Sequence, residues 1–228
     1  MAISFTWQGH STFSLDINGH SVLIDPFLSG NPLAVSNPDD LNPELILVSH
    51  AHGDHTSDLV PIAKRTGAPV VCNFEIGNYL MRQGVENVVQ VNTGGTYHGD
   101  FLDAKWTIAF HSSSFPDGTY GGMPNGFVIM ANGIKLYYTG DTALFSDMSL
   151  IGDMGIDVAF MPIGDFFTMG IDDSIRAIQF IRPRLVVPMH YNTFPSIVQD
   201  ASDWANRVNA ETSATPIVLD PGNTYTIS

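Results

Sequence analysis

The stretch SHAHGDHTSD, from Ser49 to Asp58, contains three of the eight histidines in this chain of 228 residues. It follows the apolar run LILV, which is typical of a strand covered on both faces. Residues two apart in an extended segment project to the same side, so His50 and His52 can bind one metal ion. A sharp turn at Gly53 would let the next aspartate and histidine face a second ion. From this stretch alone, a polar loop rich in histidine remains the alternative.

Three further apolar runs each end in a residue that can bind a metal. His111 follows WTIAF, Asp141 follows KLYYTG, and His190 follows LVVPM. Ligand sites in layered α/β folds gather at strand ends, where rigid backbone meets accessible loops. Imidazole and carboxylate donors without a thiolate suit Zn²⁺, and also Mn²⁺, Fe²⁺ or Ni²⁺. The pattern predicts one metal site built from distant parts of the chain.

Composition limits the class of protein. Hydrophobic residues make up 44% of the chain and charged residues 14%, which is typical of a globular protein with a substantial core. The formal net charge of −14 disfavours nucleic-acid binding, which depends on Lys and Arg that neutralise phosphates. The chain shows neither a signal peptide nor a run of roughly 18 apolar residues, so we expect a cytoplasmic protein. The single Cys72 excludes an internal disulfide and is expected to be a buried structural thiol.

The apolar pattern predicts strands with helices interspersed among them. Two Asn-Gly pairs, beginning at Asn18 and Asn132, predict hairpin turns. After the histidine cluster, a helix is predicted whose N-cap is Thr56 or Ser57 and which stops at Gly67. Further helices are predicted in EIGNYLMRQG, DDSIRAIQFIR and SIVQDASDWANRV. Such alternation favours two packed sheets with helices outside them.

The segment HAHGDH resembles the HxHxDH signature of the metallo-β-lactamase superfamily, and a later histidine, TGDT and PMHYN follow in that family's order. More narrowly, WQGHSTF, LIDPFL, FHSSSF, YYTGDTALF, MPIGDFFTMG and VVPMHYNTFP are similar to the UPF0173 metal-dependent hydrolases, relatives of the ascorbate-6-phosphate lactonase branch. The resemblance covers essentially the whole chain. It implies an α/β (α+β) fold, the four-layer αββα sandwich, in a single hydrolase domain spanning residues 1–228.

The resemblance also implies a set of ligands for two divalent metal ions, with Zn²⁺ the first candidate. They are His50, His52 and His111 for the first ion, Asp54, His55 and His190 for the second, and Asp141 as the bridge. A water held between two such ions loses its proton near neutral pH. We expect the resulting hydroxide to attack an ester, lactone or phosphoester bond of a small-molecule substrate. Asp54 is expected to act in catalysis by orienting this nucleophile or by passing a proton to the leaving group.

Other polar residues are weaker candidates. His10, in the family motif QGHS, is a candidate catalytic residue facing the substrate, with a structural hydrogen bond as the alternative. Asp25 is expected to accept an N–H from a metal-binding imidazole, with a turn cap before Pro26 as the alternative. Asp165 again follows an apolar strand, and the segment FFTMG after it is expected to wall the pocket. Tyr191 and Asn192, directly after His190, are candidates for reaching the substrate. Two histidines in turn-like segments are expected to be solvated: His20 and His98.

Two other functions remain open. A non-catalytic metal-binding or regulatory protein on the same fold would keep the ligands and show no turnover. A phosphodiesterase or nuclease of the superfamily would be expected to show a basic groove or an added domain, and neither is visible in the sequence. We expect no nucleic-acid and no membrane partner, and the sequence leaves a homo-oligomer open.

Overall fold

The computed structural model describes residues 2–227, in which two seven-stranded sheets pack together. The strands of the first sheet are, in chain order, β1 (Ile3–Gly9), β2 (Thr12–Ile17), β3 (His20–Ile24), β4 (Leu45–Leu47), β5 (Val70–Cys72), β6 (Val88–Gln90) and β14 (Thr224–Ile227). Their order across the sheet is β14-β1-β2-β3-β4-β5-β6. The pairs from β14 to β3 are antiparallel, and those from β3 to β6 are parallel.

The second sheet repeats this mixture of antiparallel and parallel pairs. Its strands are β7 (Thr96–His98), β8 (Asp103–Ile108), β9 (Asn125–Ala131), β10 (Ile134–Tyr138), β11 (Val158–Pro162), β12 (Leu185–Met189) and β13 (Thr215–Pro216). The order is β13-β12-β11-β10-β9-β8-β7, with parallel pairs from β10 to β13. The helices are α1 (Gly53–Thr56), α2 (Leu59–Thr66), α3 (Phe74–Arg82), α4 (Met148–Gly152), α5 (Ile171–Ile181) and α6 (Ala201–Glu211).

The core lies between the sheets and continues under the helices. The Phe160 ring of the second sheet packs 5.0 Å from Phe5 and 4.7 Å from Phe13 of the first, measured between ring centroids. α2 and α3 cover the outer face of the first sheet, and α4 to α6 cover the second. Burying one face of each helix and both faces of each sheet removes most apolar surface from water. The predicted αββα sandwich is confirmed.

The predicted hairpin turns are present. Asn18 and Asn132 both have left-handed backbone, with φ of 56° and 53°, and each precedes a glycine of positive φ, as a two-residue type I′ turn requires. Four of the strands and α-helices were not predicted from the sequence: β7, β14, α1 and α4. Each is short, and their few residues carry too little periodicity to be separated from loops.

The predicted helix boundaries differ from the structure in two places. The predicted N-cap, Thr56 or Ser57, lies one or two residues before Asp58, the N-cap of the helix whose C-cap is Gly67. The chain instead forms α1, and then α2 from Leu59, because the Asp58 side chain accepts the backbone N–H of Leu28 at 2.7 Å and fixes the junction. α6 begins only after Asp200, whose side chain accepts N–H groups of the first turn.

The fold brings several strand ends to one edge of the sandwich. His50 lies three residues after β4, His111 three after β8, Asp141 three after β10, and His190 directly after β12. The opposite edge carries the two Asn-Gly hairpins. Within residues 2–227, no helix is both long and apolar enough to cross a membrane.

Candidate metal centre

Asp141 lies at the centre of the seven side chains that the sequence singled out. Its Oδ2 atom faces Nε2 atoms of four histidines: His190 at 2.9 Å, His55 at 3.3 Å, His111 at 3.7 Å and His50 at 3.9 Å. The Asp141 side chain is only 2% exposed. The structure therefore brings together donors that the sequence separates by more than a hundred residues.

Three imidazoles form one side of the centre. Nδ1 of His52 lies 3.1 Å from Nε2 of His50 and 3.2 Å from Nε2 of His111. Nitrogen ligands of a tetrahedral Zn²⁺, each about 2.0–2.1 Å from the ion, are about 3.3 Å apart. The spacing of these nitrogens therefore fits a single ion.

A carboxylate and further imidazoles form the other side. Donor atoms of His10, Asp54, His55 and His190 all lie within 4.8 Å of one another. Asp54 Oδ2 is 3.8 Å from Nε2 of His190 and 3.2 Å from Nε2 of His10. This group includes one histidine, His10, that was not predicted as a ligand.

Gly53 serves a different purpose from the predicted sharp turn. Its φ is not positive, because it is the first residue of α1 and has helical backbone. A Cβ at this position would lie 3.2 Å from Cγ of Pro116. The glycine is therefore required by a close contact, and helical backbone carries Asp54 and His55 toward the second group of donors.

Asp25 orients two of the imidazoles. Its Oδ2 accepts Nδ1–H of His55 at 2.8 Å and the hydroxyl of Tyr138 at 2.8 Å, and it also accepts the Ser49 hydroxyl. Because Ser49 Oγ donates to Asp25, Nδ1 of His50, 3.0 Å from that oxygen, must donate to it. Both histidines thus direct Nε2 toward Asp141. This is the arrangement predicted for Asp25 rather than a turn cap.

Left-handed backbone at residues other than glycine marks this edge. His10, Asp25 and His190 have φ of 56°, 45° and 55°. Each such residue costs of order 1–3 kcal/mol and persists only where the surroundings enforce it. One enforcing contact is visible at Gly164, where a Cβ would lie 2.1 Å from the carbonyl oxygen of His190.

Burial and charge set the protonation of the donors. Burial lowers the pKa of His50 well below its ordinary value and also lowers the pKa of His52 and His111. Burial opposes ionisation of Asp141, but the neighbouring imidazoles of His190 and His55 outweigh it and hold the pKa of that carboxyl well below its usual range. Neutral imidazoles and an ionised carboxylate are the states that metal ligation needs.

His55 differs because it faces two carboxylates. Burial lowers its pKa, but the nearby charge of Asp141 and the hydrogen bond to Asp25 outweigh burial and raise the pKa well above the ordinary value. The His55 ring therefore holds an extra proton, and its positive charge balances the carboxylates where a metal ion would otherwise do so. Nε2 of His55 and Oδ1 of Asp141 are nevertheless buried without a hydrogen-bond partner. Such orphaned polar atoms are rare unless a ligand satisfies them, so these residues fit a divalent metal ion.

His10 is fully buried and does not line the open cavity. Its Nε2 lies 3.2 Å from Asp54 Oδ2, and its Nδ1 lies 2.8 Å from the hydroxyl of Thr193. Burial and the nearby His190 lower the pKa of His10 to about 4. The ring is thus held neutral between two hydrogen-bond partners, beside Asp54 and not in contact with the cavity.

The centre opens into a cavity of about 340 Å³. Its lining consists of His52, Asp54, His111, Ser112, Asp141, Phe167 and His190. Phe167 belongs to the segment FFTMG that was expected to wall the pocket. Ser112, with Oγ 3.3 Å from Nε2 of His52, was missed, although its place next to His111 was a signal.

Asp165 and the two predicted candidates for substrate contact do not line this cavity. Asp165 is exposed on a turn, and the Tyr191 ring stacks on Trp7 at 5.3 Å. Asn192 accepts the backbone N–H of Gln199. Tyr191 and Asn192 both line a separate cavity of about 530 Å³.

The remaining predictions about single residues agree with the structure. His20 and His98 are exposed and pair with Glu44 and Asp103, each at 3.0 Å, far from the centre. Cys72 is fully buried in the core under α2 and α3, and burial raises the pKa of its thiol.

Comparison with known proteins identifies the class. A model of the beta-lactamase superfamily domain matches residues 4–190. A metallo hydrolase, Igni18, from the archaeon Ignicoccus hospitalis has a similar structure, with a TM-score of 0.92, 35% identity, and coverage of 100% of this chain and 99% of that one. The isothiocyanate hydrolase from Delia radicum gut bacteria shares the fold alone, with a TM-score of 0.77 at 18% identity and 99% coverage of both chains.

Sequence relatives narrow the class. A UPF0173 metal-dependent hydrolase of Thermus thermophilus is 49% identical over 220 residues, which are 96% of this chain and 97% of the relative. One from Deinococcus radiodurans is 47% identical and covers 95% of this chain and 96% of its own. The chain therefore belongs to the metallo-β-lactamase superfamily and, within it, to the UPF0173 metal-dependent hydrolases.

Proposed function

We propose that this protein hydrolyses an ester, lactone or phosphoester bond of a small molecule at a dinuclear metal centre. The observation that carries the proposal is the position of Asp141, whose Oδ2 lies within 2.9–3.9 Å of Nε2 atoms of four histidines. A carboxylate surrounded in this way can bind two ions at once. A solvated histidine-rich loop would not bury a carboxylate among four imidazoles.

Each donor is assigned to whichever of the two proposed ions would lie nearer to it. The first has three imidazole ligands, the second has one carboxylate and two imidazoles, and one carboxylate is shared. The proposed ligands are His50, His52 and His111 for the first ion, Asp54, His55 and His190 for the second, and Asp141 for both. Zn²⁺ is the proposed ion because the donors are nitrogen and oxygen at tetrahedral spacing. Mn²⁺, Fe²⁺ and Ni²⁺ accept the same donors.

Bound divalent ions would supply a water that ionises near neutral pH and would polarise the group under attack. Asp54 is the proposed catalytic residue of the chain itself. Its carboxylate lines the cavity and its side chain is 27% exposed, so it can contact a substrate. It can hold the attacking water by a hydrogen bond and pass a proton to the leaving group.

His10 is proposed to act in catalysis through Asp54. The hydrogen bond from its Nε2 would fix the orientation of the Asp54 carboxylate, while Thr193 holds the far side of the ring. A positioned carboxylate can serve the reaction in one geometry, whereas a rotating one loses the advantage of pre-organisation.

The substrate is proposed to be small. A cavity of about 340 Å³ is near the lower end of the range for small-molecule sites. A net charge of −14 does not favour the approach of a nucleic acid.

The testing experiment couples metal analysis of the purified protein to a panel of esters, lactones, thioesters and phosphodiesters. We expect about two metal ions per chain and turnover that chelation abolishes. His52→Ala and Asp141→Ala should lose both metal and turnover. His98→Ala removes an exposed histidine and is the matched control, which should retain both.

The outcomes separate the alternatives. Fewer than about two ions per chain under metal-replete conditions would contradict the dinuclear assignment. A fully loaded protein inert toward the whole panel would support the non-catalytic alternative. Preference for a polymeric phosphodiester would support the nuclease alternative.

A further inference from the structure

Four phenylalanines stand beside the metal centre, and we call them the phenylalanine rim: Phe110, Phe145, Phe166 and Phe167. We infer that the rim binds an uncharged apolar group, alkyl or aryl, of the substrate, next to the bond that is hydrolysed. This inference rests on the proposed function and names the chemical class of its substrate.

Backbone hydrogen bonds hold the rim together around Thr142. The Phe110 N–H donates to Thr142 Oγ1 at 3.0 Å, and Phe110 accepts the N–H of Ala143 at 3.0 Å. On the other side, the N–H of Met169 donates to the carbonyl of Thr142 at 3.1 Å. The segments that carry the four rings thus meet next to Asp141.

Three of the four rings are open to solvent. Phe110 and Phe145 have ring centroids 5.1 Å apart, and those of Phe166 and Phe167 are 4.8 Å apart in an edge-to-face arrangement. Phe166 is 74% exposed, Phe110 54% and Phe167 52%, whereas Phe145 is half-buried against the core. Adjacent exposed aromatic side chains are costly and mark binding surfaces. Because Phe167 also lines the cavity, this surface points to the substrate.

The turn that carries Phe166 and Phe167 is strained in a way that presents them. Asp165 and Phe166 have φ of 62° and 42°, two successive left-handed residues that are not glycine. Two backbone hydrogen bonds close the turn. The N–H of Asp165 donates to the carbonyl of Met169 at 3.0 Å, and the N–H of Thr168 donates to the carbonyl of Asp165 at 2.9 Å. Backbone strain of this kind concentrates at functional sites. Its effect here is to hold Phe167 in the cavity wall.

The cavity lining favours a neutral group beside the reacting bond. Phe167 is the apolar member of the lining, and none of the nine Lys and Arg residues lies among the lining residues. A substrate with a carboxylate or phosphate away from the reacting bond would find no side-chain cation in this wall, whereas an alkyl or aryl group would find Phe167.

The test uses the Zn²⁺-loaded protein and three esters with the same leaving group: 4-nitrophenyl acetate, pentanoate and hemisuccinate. Pentanoate and hemisuccinate have acyl chains of similar length and differ in a terminal carboxylate. We expect kcat/KM for pentanoate to exceed that for hemisuccinate by about tenfold or more. Phe167→Ala should abolish this preference, and Phe167→Leu should retain most of it. Phe101→Ala, at the opposite edge of the sandwich, is the matched control and should leave the preference unchanged.

Binding without turnover provides a second measurement. Hydroxamates bind metal ions through their head group, so calorimetry can compare hexanohydroxamate with acetohydroxamate on the same loaded protein. We expect the longer chain to bind about tenfold more tightly, and Phe167→Ala to remove that difference without changing the affinity for acetohydroxamate.

The possible failures are distinguishable. Equal binding of the two hydroxamates, or a preference for hemisuccinate that Phe167→Ala leaves intact, overturns the inference whether or not the proposed function holds. Absence of metal-dependent turnover for these esters and for the panel of lactones, thioesters and phosphodiesters, with the hydroxamate difference present, overturns the proposed function alone. If the wild-type protein is a dimer in solution and Phe167→Ala makes it monomeric, the rim is a contact between two copies and the substrate assignment is wrong.

Discussion

The edge that carries the hairpins at Asn18 and Asn132, the hairpin edge, and the edge that carries the candidate metal donors, the metal edge, each contain a histidine–aspartate pair. The surroundings of the two pairs differ. At the hairpin edge, His98 Nδ1 and Asp103 Oδ1 are 3.0 Å apart, with side chains 75% and 44% exposed. At the metal edge, His190 Nε2 and Asp141 Oδ2 are 2.9 Å apart, with both side chains 2% exposed. An exposed pair contributes about 0–1 kcal/mol to stability, whereas removing one partner of a buried pair costs about 3–5 kcal/mol.

The comparison shows that burial, and not pairing, distinguishes the functional edge. Water screens the charges of the exposed pair at the hairpin edge and can hydrogen-bond their remaining polar atoms. The buried carboxylate at the metal edge faces four imidazoles and keeps one oxygen without a partner. Because binding of an ion satisfies such donors, part of the free energy of metal binding offsets the cost of assembling them.

The difference between the two edges is tested most directly by neutralising one carboxylate at each edge. Asp141→Asn should lose metal ions and lower kcat by about a thousandfold, because metal stabilisation of the transition state is worth several kcal/mol. Asp103→Asn should keep the metal content and kcat of the wild type. Metal analysis and steady-state kinetics on both variants check this. Retention of two ions by Asp141→Asn would remove Asp141 from the ligand set.

A second pair of variants compares carboxylates that accept Nδ1–H of a histidine at the two edges. Asp25 accepts from His55 at 2.8 Å, and Glu44 accepts from His20 at 3.0 Å. Asp25→Asn should weaken metal binding about 10–100-fold, since it disturbs the orientation and basicity of a ligand. Glu44→Gln should leave it unchanged. Competition with a chelator measures both affinities, and equal values would show that Asp25 does not support the centre.

The smallest of the three effects is expected at His10. His10→Asn should lower kcat about tenfold while two metal ions remain bound, because the ring orients Asp54 without holding an ion. Thr193→Val should act in the same direction more weakly, and His20→Asn should have no effect. Metal content measured beside kcat decides the role. Loss of an ion in His10→Asn would make His10 a ligand, which its place among the donors of the second group also allows.

Four of the predicted ligands stand at or just after the end of an apolar run: His50, His111, Asp141 and His190. The strand pattern indicated that these four would meet, whereas the full ligand set was implied by the family resemblance. Asp25 was also predictable, since LIDPF places a carboxylate at the end of a strand. The hairpins at Asn18 and Asn132 followed from Asn-Gly pairs whose backbone preference is local.

Other features were beyond prediction because they depend on contacts between distant residues. The hydrogen bond between His10 and Thr193 joins residues 183 positions apart, so no local sequence pattern indicates it. Tyr191 was expected near the substrate but faces Trp7, because left-handed backbone at His190 changes the direction of the next side chains. Gly53 was correctly singled out, yet the reason for glycine there is the approach of Pro116.

By itself, the sequence determined the class of fold and the candidate metal donors, none of which is a thiolate, since periodicity, residue chemistry and family motifs are all read along the chain. Only the tertiary structure decided which histidines are buried and which nitrogen each directs at Asp141. It also decided that Phe167 walls the cavity. These depend on the packing of two sheets against each other, and packing sets burial, which in turn sets charge and reactivity.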